Sequence, residues 1–240
     1  MLFFYNFLFD KKNRKKIFFY LFFLFAFYLC LITRQVIISG IIQCIIIYFL
    51  YYKKVSWPKF LGLCFLVIFA FGIVGNFRTG YENFMDVALL ESDLPSWLSG
   101  FYWVYMYLTM TVANINNTVI LGITGYGMEP IIRSFLPTIF NRLLFGTSSL
   151  QIPQYIVTKA FNVSGFFINF YLGYALIGVI IISIIFGILG IIGYQLIKKI
   201  RNQRNIMIYA VIIQIIALSF FANHLLDLAN SFQFVIILVL

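Results

Sequence analysis

The sequence predicts an all-helical, polytopic integral membrane bundle of five to six transmembrane helices, with one large, partly membrane-embedded extracytoplasmic region. Hydrophobic residues make up 63% of the 240 residues and charged residues only 10%, and the mean hydropathy is +1.00. A water-soluble domain of this size cannot bury so much apolar surface. The apolar residues also form long uninterrupted runs, as membrane-spanning helices require.

Three of these runs lie in the N-terminal part, over residues 17–33, 35–52 and 60–74. Each is long enough, or nearly so, to cross a hydrocarbon core of about 30 Å as a helix. The first follows a basic cluster but lacks a small-residue cleavage site, so we interpret it as an uncleaved anchor. Residues 1–74 are therefore predicted to be an N-terminal transmembrane segment.

Two further runs, residues 170–196 and 206–221, and a partial span at 232–240 predict a C-terminal transmembrane segment over residues 169–240. In the first of these runs glycines recur every three residues. Such spacing predicts the close approach of another helix. The glycines are Gly187, Gly190 and Gly193.

The basic residues predict which ends of the spans face the cytoplasm. Five lie in residues 11–16, three in 53–59 and four in 198–204, and all three loops fall on one side of the five spans. Lysine and arginine are retained on the cytoplasmic side. The formal charge of +10 is thus assigned to membrane orientation, and we predict no nucleic-acid partner.

The opposite side holds residues 75–168, with five of the seven acidic residues. A connection this long is typically functional or disordered, and its many aromatic and aliphatic residues favour a folded structure. The apolar stretch 101–113 within it is too short to span comfortably and predicts a re-entrant or interfacial helix. We therefore expect polar chemistry at the external face.

Arg78, Glu82 and Asp86 recur at a spacing of four where the third span ends. On a helix this spacing places them on one face. They form either an ion-pair ladder or a site in which the guanidinium binds an anion and a carboxylate orients or deprotonates a hydroxyl. The spacing does not distinguish these interpretations.

Arg133 and Arg142 lie in an amphipathic stretch that Pro137 interrupts, and they can converge only through a bend at that proline. They are candidates for phosphate binding or for snorkelling at the external interface. His224 is the only histidine and stands three residues before Asp227, so the two can share a helical face. A lone histidine is more often structural than catalytic, but its ordinary pKa suits a general base.

The sequence has no HExxH, Walker or paired-cysteine motif, so we predict neither a metal nor a cofactor. Apart from Arg34 at a boundary, the predicted spans hold almost no ionisable residue. Ion-coupled transporters usually bury charges near the membrane midplane. Chemistry at the external face is therefore favoured over transport through the bundle.

Three stretches in order resemble the oligosaccharide repeat-unit polymerases, the Wzy-type O-antigen and capsule polymerases of bacteria. They are NFRTGYENF, YLTMTVANINN and FNVSGFFINFYLGYALIGVIIISIIFGILG. Members of that family have about twice as many spans, so the chain corresponds to their C-terminal half. The paired arginine-and-glycine loop motif of some members is absent at Arg78, Arg133 and Arg142.

The resemblance implies metal-independent, inverting glycosyl transfer at the external face of the bacterial cytoplasmic membrane. A growing glycan on undecaprenyl diphosphate would be transferred to the non-reducing end of a lipid-linked repeat unit. The implied partners are this lipid-linked oligosaccharide, the lipid bilayer, and flippase and chain-length regulator proteins. The rival interpretations are a lipid-linked oligosaccharide flippase or other transporter, and a non-catalytic truncated membrane subunit.

The resemblance also implies a role for each candidate residue. Arginines at membrane depth would hold the departing diphosphate, while Glu82 or His224 would position or activate the acceptor hydroxyl. The catalytic candidates are thus Arg78, Glu82 and His224. The substrate-binding candidates are Arg133, Arg142, Tyr81, Asp86, Tyr107, Asn114, Asn162 and Tyr171.

Overall fold

Every regular element in the described part of the chain is a helix, which confirms the all-helical class. The computed structural model describes residues 1–30, 34–52, 56–80, 95, 98–146, 150, 152–158, 161–221, 224–225 and 227–239. The helices within these ranges are α1 (Leu2–Phe9), α2 (Arg14–Cys30), α3 (Arg34–Tyr52), α4 (Trp57–Thr79), α5 (Ser99–Ile120), α6 (Glu129–Phe135), α7 (Thr138–Phe145), α8 (Ile168–Lys199), α9 (Gln203–Leu218) and α10 (Leu228–Val239).

Helix α8 is the one described helix that is both long and apolar enough to cross a membrane. Its length and composition support a membrane location for the chain. Shorter apolar helical segments cover Val36–Tyr51, Trp57–Leu66, Gln203–Leu218 and Asn230–Val239. The arrangement of five to six spans therefore stays a prediction.

Two predicted helix lengths need correction. Helix α5 does not stop at residue 113 but continues through the polar ANINN segment to Ile120, because asparagine side chains there bond to a packed loop, as described below. Helix α9 ends at Leu218, three residues before the predicted end of its apolar run. Apolar character alone does not mark where a helix stops, and here a turn follows at residues 219–221.

The chain forms two compact units, Met1–Met106 and Tyr107–Leu240. In the first unit α1 packs on α2 and α3, and α3 packs on α2 and α4. Aromatic contacts join these helices, including the edge-on pair Phe9–Tyr51 with ring centroids 4.8 Å apart. Ile47 is fully buried at the centre of α3.

In the second unit α9 packs on α8 and α10, and α6 packs on α8. The glycine spacing of α8 has the predicted consequence at Gly193, where an added Cβ would stand 3.0 Å from Ile212 Cδ1. At Gly187 nothing lies within 4 Å, so that glycine is not a packing position. Asn202 caps α9 by accepting a hydrogen bond from the Asn205 backbone N–H at 2.8 Å.

Helix α8 is interrupted near its N-terminal end. Tyr174 has φ −138° and ψ 20°, and Ala175 has φ 52° and ψ −140°, both outside the helical region. The carbonyls freed by the break are satisfied by the loop after α5, since Tyr126 N donates to Leu172 O at 3.0 Å and Gly127 N donates to Gly173 O at 3.2 Å. The interruption of the helix therefore does not leave these two carbonyls without hydrogen-bond partners.

Candidate functional site

Asn114 holds helix α5 against the segment that precedes α8. Its Nδ2 donates to the carbonyls of Phe161 at 3.0 Å and Val163 at 2.7 Å, and its Oδ1 accepts from the Val157 backbone N–H at 2.8 Å. Asn114 is fully buried. We call this arrangement of Asn114, Val157, Phe161 and Val163 the Asn114 clamp.

The same face of α5 continues this contact. Asn117 Nδ2 donates to Tyr155 O at 2.8 Å. Thr111 and Thr118 are buried, and their hydroxyls donate hydrogen bonds to the backbone carbonyls of Tyr107 and Asn114, one turn earlier in the helix. A polar helix face of this kind is stable only where each polar group finds a partner, which explains why α5 extends through ANINN.

Three predicted substrate-binding residues come together at the clamp. Tyr107 meets the Phe161 ring edge-on, with centroids 5.5 Å apart, and the Phe221 ring at 6.4 Å. Asn162 lies between the two carbonyls that Asn114 binds, and its own side chain is exposed. Tyr107 and Asn114 therefore both contact the segment 161–163, and the Asn162 side chain of that segment is exposed.

His224 lies in the turn between α9 and α10, three residues after Phe221. It does not share a helical face with Asp227, because neither residue is helical, but its Nδ1 is 4.0 Å from Asp227 Oδ2. Burial lowers the pKa of His224, and the nearby Asp227 carboxylate opposes that shift. The imidazole is therefore neutral near pH 7 and can accept a proton.

Helices α6 and α7 carry the two candidate arginines. The helical conformation is interrupted at Leu136 and Pro137, as the sequence predicts. Arg133 places both Nε and Nη2 at 2.7 Å from Glu129 Oε1. Its guanidinium also stands 4.6 Å from the centre of the Phe145 ring. Arg133 is thus held in place, whereas Arg142 on α7 is exposed.

Tyr171 lies on the first turn of α8, just before the break. Its carbonyl accepts a hydrogen bond from Thr124 Oγ1 at 3.1 Å. This bond belongs to the loop that also covers Leu172 and Gly173. Tyr171 is half-buried, and the described contacts bring it to this loop rather than to the Asn114 clamp.

The NFRTGYENF stretch is described only in part. Helix α4 ends at Thr79, so the backbone of Arg78 lies in its last turn, and Gly80 follows with a φ of 78°. The left-handed conformation at Gly80 ends the helix, and the spacing of four from Arg78 to Glu82 therefore does not follow one continuous helix. Tyr81, Glu82 and Asp86 lie outside the described residues, as does the Arg78 side chain.

Sequence reasoning missed several residues of this region. Glu129 is not among the candidates that the sequence provides, although its spacing of four from Arg133 signals an ion pair. Asn117 repeats Asn114 at a spacing of three and signals the same helix face. Ser164 had no signal, yet it is buried beside the clamp, and its Oγ has no hydrogen-bond partner.

The described residues define a helical protein in which α8 is long and apolar enough to span a membrane, and in which Asn114 forms a buried polar contact with the segment before α8. No protein-family model, curated protein or solved structure matches the chain. Among the described residues no group of three His, Cys, Asp or Glu side chains is placed to hold a metal ion. Function must therefore be argued from the residues and their geometry.

Proposed function

We propose that the chain is a membrane polymerase that joins undecaprenyl-diphosphate-linked oligosaccharide repeat units into O-antigen or capsular polysaccharide. In this proposal it is a metal-independent, inverting glycosyltransferase that acts at the external face of the bacterial cytoplasmic membrane. The lipid-linked oligosaccharide is its substrate. A flippase that supplies repeat units and a chain-length regulator are its protein partners.

The observation that carries the proposal is the Asn114 clamp. Asn114 lies in YLTMTVANINN, and its Nδ2 donates two hydrogen bonds to Phe161 O and Val163 O, in the stretch that begins FNVSGFF and also resembles the polymerase family. Resemblance in sequence order alone does not require such contact. The meeting of the two stretches supports the interpretation that they serve one site.

The chemistry required is the departure of a lipid diphosphate and attack by a sugar hydroxyl. Arginines suit the first step because a fixed guanidinium stabilises the charge that develops on the leaving group. Arg78, Arg133 and Arg142 take this role in the proposal. Arg133 keeps N–H donors beyond the two that Glu129 accepts, since a guanidinium has five.

The attacking hydroxyl needs a base or an acceptor of its hydrogen bond. His224 is neutral near pH 7 and follows Phe221, whose ring contacts Tyr107. Glu82 is the alternative base. Tyr107 and Tyr171 supply aromatic faces for sugar rings, and the exposed amide of Asn162 supplies a donor and an acceptor for sugar hydroxyls.

The proposal also requires a multi-pass arrangement with residues 75–168 outside the cytoplasm. Helix α2 supports it, because it exposes a dense set of phenylalanines to the surroundings. Helix α8 exposes isoleucine along most of its length. Such faces are typical of contact with lipid. The α2 residues are Phe18, Phe19, Phe22, Phe23 and Phe27, and those on α8 include Ile177, Ile180, Ile184, Ile188 and Ile191.

The interrupted α8 gives a specific reason to weigh the transporter alternative. Discontinuous helices often provide free carbonyls that bind ions near the membrane midplane. Here the carbonyls of Tyr171, Leu172 and Gly173 instead accept hydrogen bonds from the loop 124–127. The break is therefore better explained as a packing feature, which favours the polymerase.

Complementation tests the proposal. The chain is produced in cells whose own repeat-unit polymerase is deleted, and surface glycans are separated by length. A ladder of long chains is expected, and single repeat units alone would refute polymerisation by this chain. Arg78→Ala should abolish the ladder, and Arg78→Lys should restore little because the bidentate fork is lost. Arg201→Ala, at the predicted cytoplasmic end of α8, is the matched control and should keep the ladder.

A further inference from the structure

Helix α7 presents an apolar face that no described residue covers. Ile139 is 78% exposed and Leu143 is 79% exposed, and Phe140 and Leu144 lie beside them on the same face. These positions fall within a little over a third of the helix circumference. Soluble surfaces rarely group large aliphatic side chains in this way.

The opposite side of α7 is fixed to the protein. Asn141 Nδ2 donates to Arg133 O at 2.8 Å and to Leu136 O at 2.9 Å. Phe145 lies under the Arg133 guanidinium. The apolar face is therefore held outward by an anchored helix.

The position of α6, the helix that precedes α7, indicates what this face meets. Helix α6, which precedes α7, packs on α8 near the break, where Gly127 N bonds Gly173 O and Ile131 Cδ1 stands 3.8 Å from the Cβ position of Gly173. Lys198 and Lys199 lie at the other end of α8. If α8 crosses the bilayer with its lysines on the cytoplasmic side, α6 stands at the external boundary, and α7 begins only three residues after the end of α6.

The charge on α7 complements a lipid surface. Arg142 flanks the apolar face, is exposed, and has no ion-pair partner among the described residues. Helix α7 carries no acidic residue. One cation beside an apolar face matches a headgroup phosphate above acyl chains, which is how interfacial helices bind membranes.

We propose that α7 lies in the external interface of the bilayer, with Ile139, Phe140, Leu143 and Leu144 among the upper acyl chains and Arg142 at the level of the lipid phosphates. The partner is the lipid surface itself. The inference rests on membrane insertion of α8 and does not depend on glycosyl transfer. It also gives α7 a role as a support that fixes the depth of the α6–α7 segment.

Site-specific labelling tests it on the full chain. Single-cysteine variants Leu143→Cys and Thr138→Cys are made in a background where Cys30, Cys44 and Cys64 are alanine. Each is labelled with an environment-sensitive fluorophore and reconstituted into vesicles of phosphatidylglycerol and phosphatidylethanolamine. Thr138 is the matched control, because it is exposed on the same helix outside the apolar face. Quenching is measured with lipids spin-labelled high on the acyl chain and with aqueous iodide.

At position 143 we expect blue-shifted emission and lipid quenching at least about twofold stronger than at position 138, with weaker iodide quenching. Equal iodide access at both positions would overturn the proposal, since α7 would then face water. Blue-shifted emission at 143 without lipid quenching would overturn it too, because a protein surface would then cover the face.

Discussion

Each of the two units of the molecule has its own kind of internal contact. In Met1–Met106 aromatic rings of different helices pack together, as at Phe9 and Tyr51. In Tyr107–Leu240 asparagine amides bind the backbone of distant segments, as at Asn114 and Asn117. Removing one partner of a buried hydrogen bond leaves the other group unsatisfied, which costs about 1–3 kcal/mol of stability. The candidate residues Tyr107, Asn114 and Asn162 therefore lie where a non-helical segment is held by asparagine side chains.

The largest expected effect comes from Asn114→Ala. This change leaves the Phe161 and Val163 carbonyls and the Val157 N–H without their partner. With each buried group costing about 1–3 kcal/mol, we expect a loss of about 3 kcal/mol or more in the free energy of unfolding. Equilibrium unfolding in mixed detergents measures it.

Asn116→Ala is the control for Asn114, because Asn116 is exposed in the same ANINN segment. Its free energy of unfolding should stay within about 0.5 kcal/mol of the unmodified chain. If the two variants were equally stable, the Asn114 clamp would not be what holds the second unit together.

The second effect concerns the break in α8. In Gly173→Ala the new Cβ would overlap Gly127 O, which is a backbone atom and cannot rotate away. The loop over the break must shift, and we expect a loss of about 2 kcal/mol, as for other overpacked positions. Thermal unfolding in detergent gives the comparison.

Gly187→Ala on the same helix has open space within 4 Å. It should be neutral or stabilising by up to about 1 kcal/mol, because alanine favours the helix. A stable Gly173→Ala protein would show that the loop does not pack as tightly as described.

A smaller effect is expected at the arginines. Arg133→Gln removes the pair with Glu129 and the contact with Phe145, and both groups are only partly buried. The expected loss is about 1 kcal/mol. Arg142→Gln should leave the unfolding free energy unchanged, and glycan-ladder assays of both variants separate a structural role from substrate binding. A ladder retained in both would remove these arginines from the proposed site.

The smallest effect is a pH dependence at His224. Its pKa is lowered in the folded chain by burial, so the unfolded chain binds the proton first. The stability that the neutral His224 imidazole contributes is fully present above the unfolded pKa of about 6.5. It is lost as the pH falls through the lowered folded pKa. His224→Gln should flatten the difference in unfolding midpoint between about pH 7 and about pH 5. An unchanged slope would place His224 in a solvated environment.

The sequence predicts helices well here because apolar runs report burial or lipid contact directly. The break at Pro137 follows from the missing N–H and the ring of proline. The break at Tyr174 and Ala175 has no such cause in the sequence. It depends on the loop 124–127, whose backbone N–H groups donate hydrogen bonds to helix carbonyls just before the break. Helix α5 was predicted too short for the same reason, because the partners of Asn114 lie more than forty residues away.

The candidate site shows the same limit. Tyr107, Asn114 and Asn162 are candidates because of a resemblance in sequence. The hydrogen bonds and the ring contact that bring Asn114 and Tyr107 to the segment 161–163 are not encoded by sequence spacing. His224 and Asp227 are close in space, yet through a turn and not through a helix face. Local rules fail where tertiary contacts decide the conformation.

Reconstitution tests the central claim most directly. The purified chain is placed in proteoliposomes with undecaprenyl-diphosphate-linked repeat units and a metal chelator, and glycan length is followed together with released undecaprenyl diphosphate. The proposal predicts glycans of two or more repeat units, with one lipid diphosphate released for each new linkage. Repeat units that stay single, in vesicles where the chain is folded and inserted, would contradict it.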